Sequence, residues 1–301
     1  TELSWKQGSD QIMQEKTFYL HVGGHKTATT SLQYFFDQNK AALKDLGLYW
    51  PKQGQCVGLE NSWGHHELAW ALRSNDPKHI WRALAHEIAE LSADTSVLVS
   101  SEDFSTFQDP RKFGLVRKTM GGFSIRPIYY MRRQDQLLES IYKYHVSALG
   151  EKQGISDFSK RIFNRLSHAK LIDSLGKAFG RENLILRIYS RAEIRENIYM
   201  DFLSAIGLDG ASGLQITDRA INQSLSDRGL SKMRQANRFL GRYDYILTNI
   251  RQKLLSRASA EPWTEHAILT GAERASIMRH FHEENRAIAR EFFGREELFR
   301  S

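Results

Sequence analysis

Two glycines, a lysine and a run of hydroxyl-bearing residues stand together near the start of the chain, in Val22-Gly23-Gly24-His25-Lys26-Thr27-Ala28-Thr29-Thr30-Ser31. Glycines let a strand turn sharply and let the backbone come close to a ligand. The first amides of a helix have no intrahelical partner, and together with the helix dipole they form a site for an anion. Lys26 adds a full positive charge, and Thr29, Thr30 and Ser31 add hydroxyl donors. This is the equipment of a phosphate or sulfate cradle. A plain structural turn with threonines capping a helix uses the same residue types. The glycine, lysine and hydroxyl combination directly after an apolar segment favours the anion. The loop is not that of a nucleoside triphosphatase: G-x-x-x-x-G-K-[ST] requires glycine at 20 and 25, where the chain has Leu20 and His25.

The elements that position this loop follow from hydropathy. Short apolar, β-branched and aromatic runs at 17–22, 95–100, 124–131 and 183–189 read as strands. Pro127 is a defect in the third if that strand is central, which leaves its edges open. Helical spacing covers 29–46, with Leu32, Phe35, Phe36 and Leu43 on one face. Further helices are expected at 65–73, beyond Pro77 with an Ile80, Leu84, Ile88 and Leu91 stripe, after the 124–131 strand, and after the 183–189 strand up to Gly207. The last third reads as mainly helical. Strands alternating with helices predict an α/β fold, a three-layer sandwich with a mainly parallel central sheet and a largely helical C-terminal part. A polar extension, 1–16, precedes what reads as a single domain over 17–301, with 210–225 as an internal hinge or long loop.

Ligands of open α/β sheets collect beyond the carboxyl ends of the strands. Glu102, in VLVSSEDFS, stands there. His66, in GHHELAWAL, can face the same cleft from the start of a helix. His65-His66-Glu67 lacks the spacing of a zinc helix, and no cluster calls for a metal. Trp63, Trp70 and Trp81 fit either packing or the faces of sugars and small phenols.

The 42 basic and 35 acidic residues leave a formal charge of +7, a modest excess spread along the chain. It suits an anionic ligand and gives no nucleic-acid motif. The lone Cys56 excludes an internal disulfide and favours a reducing compartment. The opening residues lack an apolar signal core, and no apolar run approaches membrane-spanning length, so a cytoplasmic protein is expected. Peripheral contact with a membrane stays open.

HVGGHKTATTSLQ resembles the 5′-phosphosulfate loop of sulfotransferases that use 3′-phosphoadenosine 5′-phosphosulfate (PAPS), in the bacterial form H-K-T-G-T-T-S-L-Q. Ala28 stands where that family has glycine, which leaves less freedom for positive φ. The likeness runs in order from 17 to about 210. It implies a donor site made by Gly24, His25, Lys26, Thr27, Ala28, Thr29, Thr30 and Ser31, with Lys26 catalytic. The family also has an arginine at a strand end and a serine eight residues later, on the 3′-phosphate. Arg132 and Ser140 have that spacing, whereas Arg133 does not. Asp135 is then expected to cap the following helix, with a tolerant polar position at Gln134. Tyr189 matches a further donor contact, and Asn222 and Ser224 resemble a late N-x-S near the donor or a lid. The family's late R-K-G loop is not recognisable. The resemblance implies transfer of a sulfuryl group to a hydroxyl or amine of a carbohydrate or glycolipid, without a required metal. Glu102 is the first candidate base and His66 the second, with Asp103 a lesser one. A small-molecule kinase and a non-catalytic anion or polyanion binder are the competing classes.

Overall fold

The computed structural model describes residues 16–24, 26–56, 62–74, 78–194, 196–209, 211–216, 227–239 and 268–300. Five strands form one parallel sheet in the order β2-β3-β1-β4-β5. They are β1 (Thr17–His21), β2 (Leu48–Tyr49), β3 (Ser96–Ser100), β4 (Ser124–Met131) and β5 (Ile185–Ile188). Four of these were expected. The fifth, β2, has only two residues, too few to show a period, and pairs with β3 through Leu48 and Tyr49.

Pro127 sits inside β4, and β4 is a central strand. The ladder accommodates it for a directional reason. The Val22 amide donates to Ile128 O (3.0 Å), so Ile128 turns its peptide groups toward β1. Its neighbour Pro127 therefore turns toward the β5 side, and β5 begins pairing only at Ile128. The missing N–H falls just outside the ladder.

Alternate strand residues feed two apolar layers. Phe18, Leu20, Val97 and Val99 point to one face, and Tyr19 and Leu98 to the other. Helices α3 (His66–Ala71), α4 (Lys78–Ile88), α5 (Gly114–Thr119), α8 (His168–Phe179) and the C-terminal α12 (His282–Phe293) contribute to the first layer. Helices α1 (Thr29–Gln38), α2 (Lys40–Asp45) and α9 (Ile198–Ala205) contribute to the second. A third cluster joins α6 (Gln134–Ala148), α7 (Ile155–Ile162), α10 (Asp227–Phe239) and α11 (Gly271–His280). The expected α/β architecture, with its largely helical C-terminal part, is present.

The single helix expected at 29–46 is two. Asn39 interrupts it, because its side-chain amide donates to Phe35 O (2.8 Å) and Gln215 O (3.0 Å) while its oxygen accepts from the Gln215 amide (2.7 Å). A buried tie to a segment 176 residues away outweighs helix continuation.

The start of α6 also differs from expectation. Asp135 does not cap it; Arg133 occupies the cap position and makes no capping bond. Asp135 instead lies in the first turn, accepts from the Gln136 amide (2.9 Å), and pairs with Arg133 and Arg274, both at 2.9 Å. Nor is Gln134 a tolerant position. It is fully buried and exchanges two hydrogen bonds with Asn285 of α12, at 2.7 and 3.1 Å. Removing one amide strands the other, which costs about 1–3 kcal/mol. Asn285→Leu is expected to lower the free energy of unfolding by about 2 kcal/mol in a denaturant titration, and adding Gln134→Leu should restore part of it. A double variant no more stable than Asn285→Leu would show that the pair is not what ties α12 to α6.

Candidate functional site

The loop from β1 to α1 passes between the carboxyl ends of β3 and β4. Gly23 has φ +65°, and a Cβ there would lie 2.9 Å from the Cα of Glu102. A Cβ on Gly24 would lie 2.3 Å from the carbonyl oxygen of Tyr130, so only glycine fits. Thr27, buried, donates its hydroxyl back to Gly24 O (2.7 Å), and Thr29 Oγ1 lies 3.5 Å from the same oxygen. Those two hydroxyls close the turn. Thr30 and Ser31 are half-buried on the first turn of α1, where amides lack intrahelical acceptors. His25 lies outside the described residues, as do Asn222 and Ser224.

Two non-glycine residues of the loop adopt left-handed backbone: Lys26 at φ 67° and Ala28 at φ 59°. Ala28 is the residue that immediately precedes α1. The conformation that glycine would take freely is thus kept with a Cβ in place, at a cost of about 1–2 kcal/mol. Strain of this kind persists where the surroundings over-determine it.

Arg132 follows β4 directly and meets the loop. Its Nη1 donates to Lys26 O (2.9 Å), and its guanidinium lies 5.6 Å from the centre of the Tyr189 ring. Tyr189 is itself placed by its amide, which donates to Met131 O (2.7 Å). The Arg132 Nε is buried and has no partner among the described residues. Lys26 Nζ sits 5.3 Å from the centre of the Tyr144 ring. Burial pushes the Lys26 ammonium below its ordinary pKa, and the charge of Arg132 pushes it further, against the opposing effect of Glu102. Burial likewise lowers that of Arg132, against Tyr189, Glu139 and Asp135. Among the described residues neither cation has a carboxylate within ion-pair distance. Ser140 lies half-buried on α6, one helical turn before Tyr144.

Glu102 opens a 3₁₀ turn, Glu102–Thr106, directly beyond β3. Gln33 of α1, buried, donates its amide to Glu102 Oε2 (3.2 Å) and also reaches Ser100 Oγ (3.3 Å). Gly64 leaves room for it: a Cβ at 64 would lie 2.4 Å from Gln33 Nε2. The helix that begins at the loop therefore also fixes the carboxylate.

The two histidines separate in role. His65 is fully buried, with Nε2 donating to Pro51 O (2.9 Å) and Nδ1 accepting from the Ser100 amide (3.1 Å). Burial drives its pKa down to about 4. His66 is half-buried and turns toward the segment that follows β3. Its Nδ1 is 2.9 Å from Ser101 Oγ, 3.6 Å from Asp103 and 4.0 Å from Glu102. Burial opposes its charged form, but Asp103 and Glu102 together raise its pKa above the ordinary imidazole value. Asp103 is committed elsewhere, accepting from Trp70 Nε1 (2.8 Å) and Arg73 Nη2 (3.3 Å). His66, in spite of burial, and then Trp70 and Arg73 hold its carboxyl down at about 2.

The structure thus brings Lys26, Arg132, Tyr189, Glu102 and His66 to one edge of the sheet. Trp81 is not part of it; it is a core residue whose indole donates to Leu68 O (3.1 Å). Trp70 stacks on His66, and Trp63 packs edge-on against Tyr34, with ring centres 4.7 Å apart. Gln33, Tyr144 and His168 were missed from sequence. Tyr144 carried a signal, since four residues from Ser140 on a helix is one face; Gln33 and His168 are buried polar residues that no spacing marks. No cluster of metal-ligating residues occurs among the described residues, and no helix there is long and apolar enough to cross a membrane.

No family model matches the chain. An uncharacterized protein of Archaeoglobus fulgidus is 31% identical over 210 residues, which cover 67% of this chain and 55% of that protein. The chain spans about half the length of this curated relative. In structure, the chain has a distant, partial likeness to the crystal structure of a sulfotransferase from Alicyclobacillus acidocaldarius: TM-score 0.44 and 13% identity, over 80% of this chain and 94% of that one.

Ala28→Gly relieves the left-handed Cβ strain but loosens the unfolded chain by about 0.4–1 kcal/mol. The expected net effect in thermal or denaturant unfolding is a gain of about 0.5–1 kcal/mol. A loss of stability would mean that the Ala28 methyl makes contacts worth more than the strain.

Proposed function

We propose that this chain is a sulfotransferase that moves a sulfuryl group from PAPS to a hydroxyl of a carbohydrate or glycolipid. The observation that carries the reading is the meeting of Lys26 and Arg132, two partly buried cations joined through Lys26 O. They stand at the N-terminus of α1 with a carboxylate, Glu102, near enough to act on the charge of Lys26. One nucleotide with a phosphosulfate at one end and a phosphate at the other would satisfy both cations. The loop's resemblance to the phosphosulfate cradle and the Arg132–Ser140 spacing assign the ends: phosphosulfate on Lys26 and the first turn of α1, 3′-phosphate on Arg132 and Ser140. Tyr189, under the Arg132 guanidinium, fits a further donor contact.

In the transfer, the acceptor oxygen forms a bond to sulfur while the bond from sulfur to the bridging oxygen breaks. The electron pair stays on the 5′-phosphate, where Lys26 and the α1 amides meet it. The acceptor proton goes to Glu102. Two features favour Glu102 over His66 as base: Gln33 holds its carboxylate in place, and the carboxylates beside His66 help it keep a proton of its own. His66 then pairs with the carboxylates and lines the acceptor side. The exposed rings of Trp70 and Tyr144, and the half-buried ring of Trp63, offer apolar faces to a sugar ring.

A binding screen with PAPS, its desulfated product, ATP with magnesium, and plain phosphate tests the donor. Tight binding of the first two is expected; preference for ATP with magnesium would turn the reading to a kinase, and binding of PAPS without turnover on any acceptor to a binding protein. Lys26→Ala should cut turnover at saturating PAPS about 10²–10³-fold with little change in melting temperature. Glu102→Gln should keep donor binding and lose about 10²–10⁴-fold in turnover. Unchanged turnover in either variant removes that residue from the chemistry.

A further inference from the structure

Arg132 is held by its main chain as well as by its side chain. His168, the first residue of α8, is buried, and its Nε2 lies 2.8 Å from Arg132 O. Its Nδ1 lies 2.7 Å from the Tyr129 hydroxyl, also buried. A carbonyl oxygen only accepts, so Nε2 carries the hydrogen and donates. In the neutral ring Nδ1 is then an acceptor, and Tyr129 donates to it. The two bonds fix the ring's tautomer and its plane. Burial pushes the imidazole below its ordinary pKa, which keeps this neutral form in place.

The helix that carries His168 is braced from the far end of the chain. Glu284 of α12 accepts from Ser167 Oγ (2.7 Å) and from the amides of His168 (2.7 Å) and Ala169 (3.2 Å). A carboxylate thus closes the N-terminus of α8, where the dipole favours it. The next residue, Asn285, holds Gln134 at the start of α6. One turn of α12 therefore steadies the helix behind Arg132 and the helix in front of it. Arg132 itself has three attachments: His168 on its carbonyl, Lys26 O on Nη1, and the Tyr189 ring beneath the guanidinium. Its buried Nε has no partner among the described residues. A backbone carbonyl needs no more than one donor to be satisfied, and an oriented, doubly bonded imidazole supplies direction as well.

We propose that His168, oriented by Tyr129 and braced by Glu284, is a positioning residue for Arg132, and that the site's preference for a nucleotide with a phosphate on its sugar depends on it. The inference rests on reading Arg132 as that phosphate's anchor. His168 touches no part of the donor; it sets where the guanidinium stands.

The test is calorimetric binding of adenosine 3′,5′-bisphosphate and adenosine 5′-monophosphate to the full chain, wild type and variants. The wild type is expected to prefer the bisphosphate by at least about tenfold, the worth of one charge-assisted phosphate contact. His168→Leu should lose about tenfold in bisphosphate affinity while monophosphate affinity stays within about twofold. His168→Gln keeps an N–H for the Arg132 carbonyl and should recover most of the loss. Equal losses for both ligands, or no loss for either, overturn the positioning role while leaving the anchor reading intact. A wild type without preference for the bisphosphate overturns the anchor reading itself, and the strut with it. If the leucine variant does not fold, Tyr129→Phe carries the test: it removes only the hydroxyl that orients the ring, and unchanged selectivity there overturns the proposal.

Discussion

The site is built around two half-buried cations that share one edge of the sheet. Lys26 lies in the loop after β1 and Arg132 directly after the adjacent β4, and the Arg132 side chain donates to the Lys26 carbonyl. Both are depressed in pKa by burial, and Lys26 is depressed further by its neighbour. Charges removed from water without a compensating partner are costly, by several kcal/mol per ion before relaxation of the surroundings. A fold that retains such a pair must over-determine it from elsewhere, and an anion arriving between the two would relieve the strain.

The rest of the site reads as that over-determination. Gly24 lets the loop lie against the Tyr130 carbonyl, closer than any side chain would permit. Thr27 ties the loop to itself through Gly24 O. Lys26 and Ala28 keep left-handed backbone although neither is glycine. On the other side, His168 grips the Arg132 carbonyl, and Glu284 and Asn285 lock the two helices that flank it. Gln33 extends the same frame to Glu102, so the helix whose N-terminus would receive the anion also sets the carboxylate that would take a proton. The central parallel sheet makes this economical in sequence, because β1, β3 and β4 all end at one edge.

Much of this was legible in the sequence, for identifiable reasons. Four strands announced themselves as short apolar runs between helical stretches, and parallel pairing followed from the alternation. The tight turn out of β1 could be placed because paired glycines directly after an apolar run mark one. What the sequence withheld lies in long-range polar pairing. Asn39 looks like any helix residue until Gln215 is seen against it. Gln134 reads as a position where any polar residue is tolerated, and only α12 reveals it as half of a buried amide pair. Asp135 reads as a cap, and Arg274, distant in sequence, makes it an ion-pair centre. Trp63, Trp70 and Trp81 are equivalent by type, yet Trp81 is core and Trp70 lies open beside His66. Pro127 left the edges of β4 open for a subtler reason: the harm done by a proline depends on which side its missing N–H faces.

The most direct measurement is a crystal structure of the chain with adenosine 3′,5′-bisphosphate bound. The account predicts the 5′-phosphate against Lys26 and the first amides of α1, and the sugar phosphate on the Arg132 guanidinium, with His168 still on the Arg132 carbonyl. A nucleotide bound elsewhere, or bound at this edge with its phosphates reaching neither cation, would contradict it.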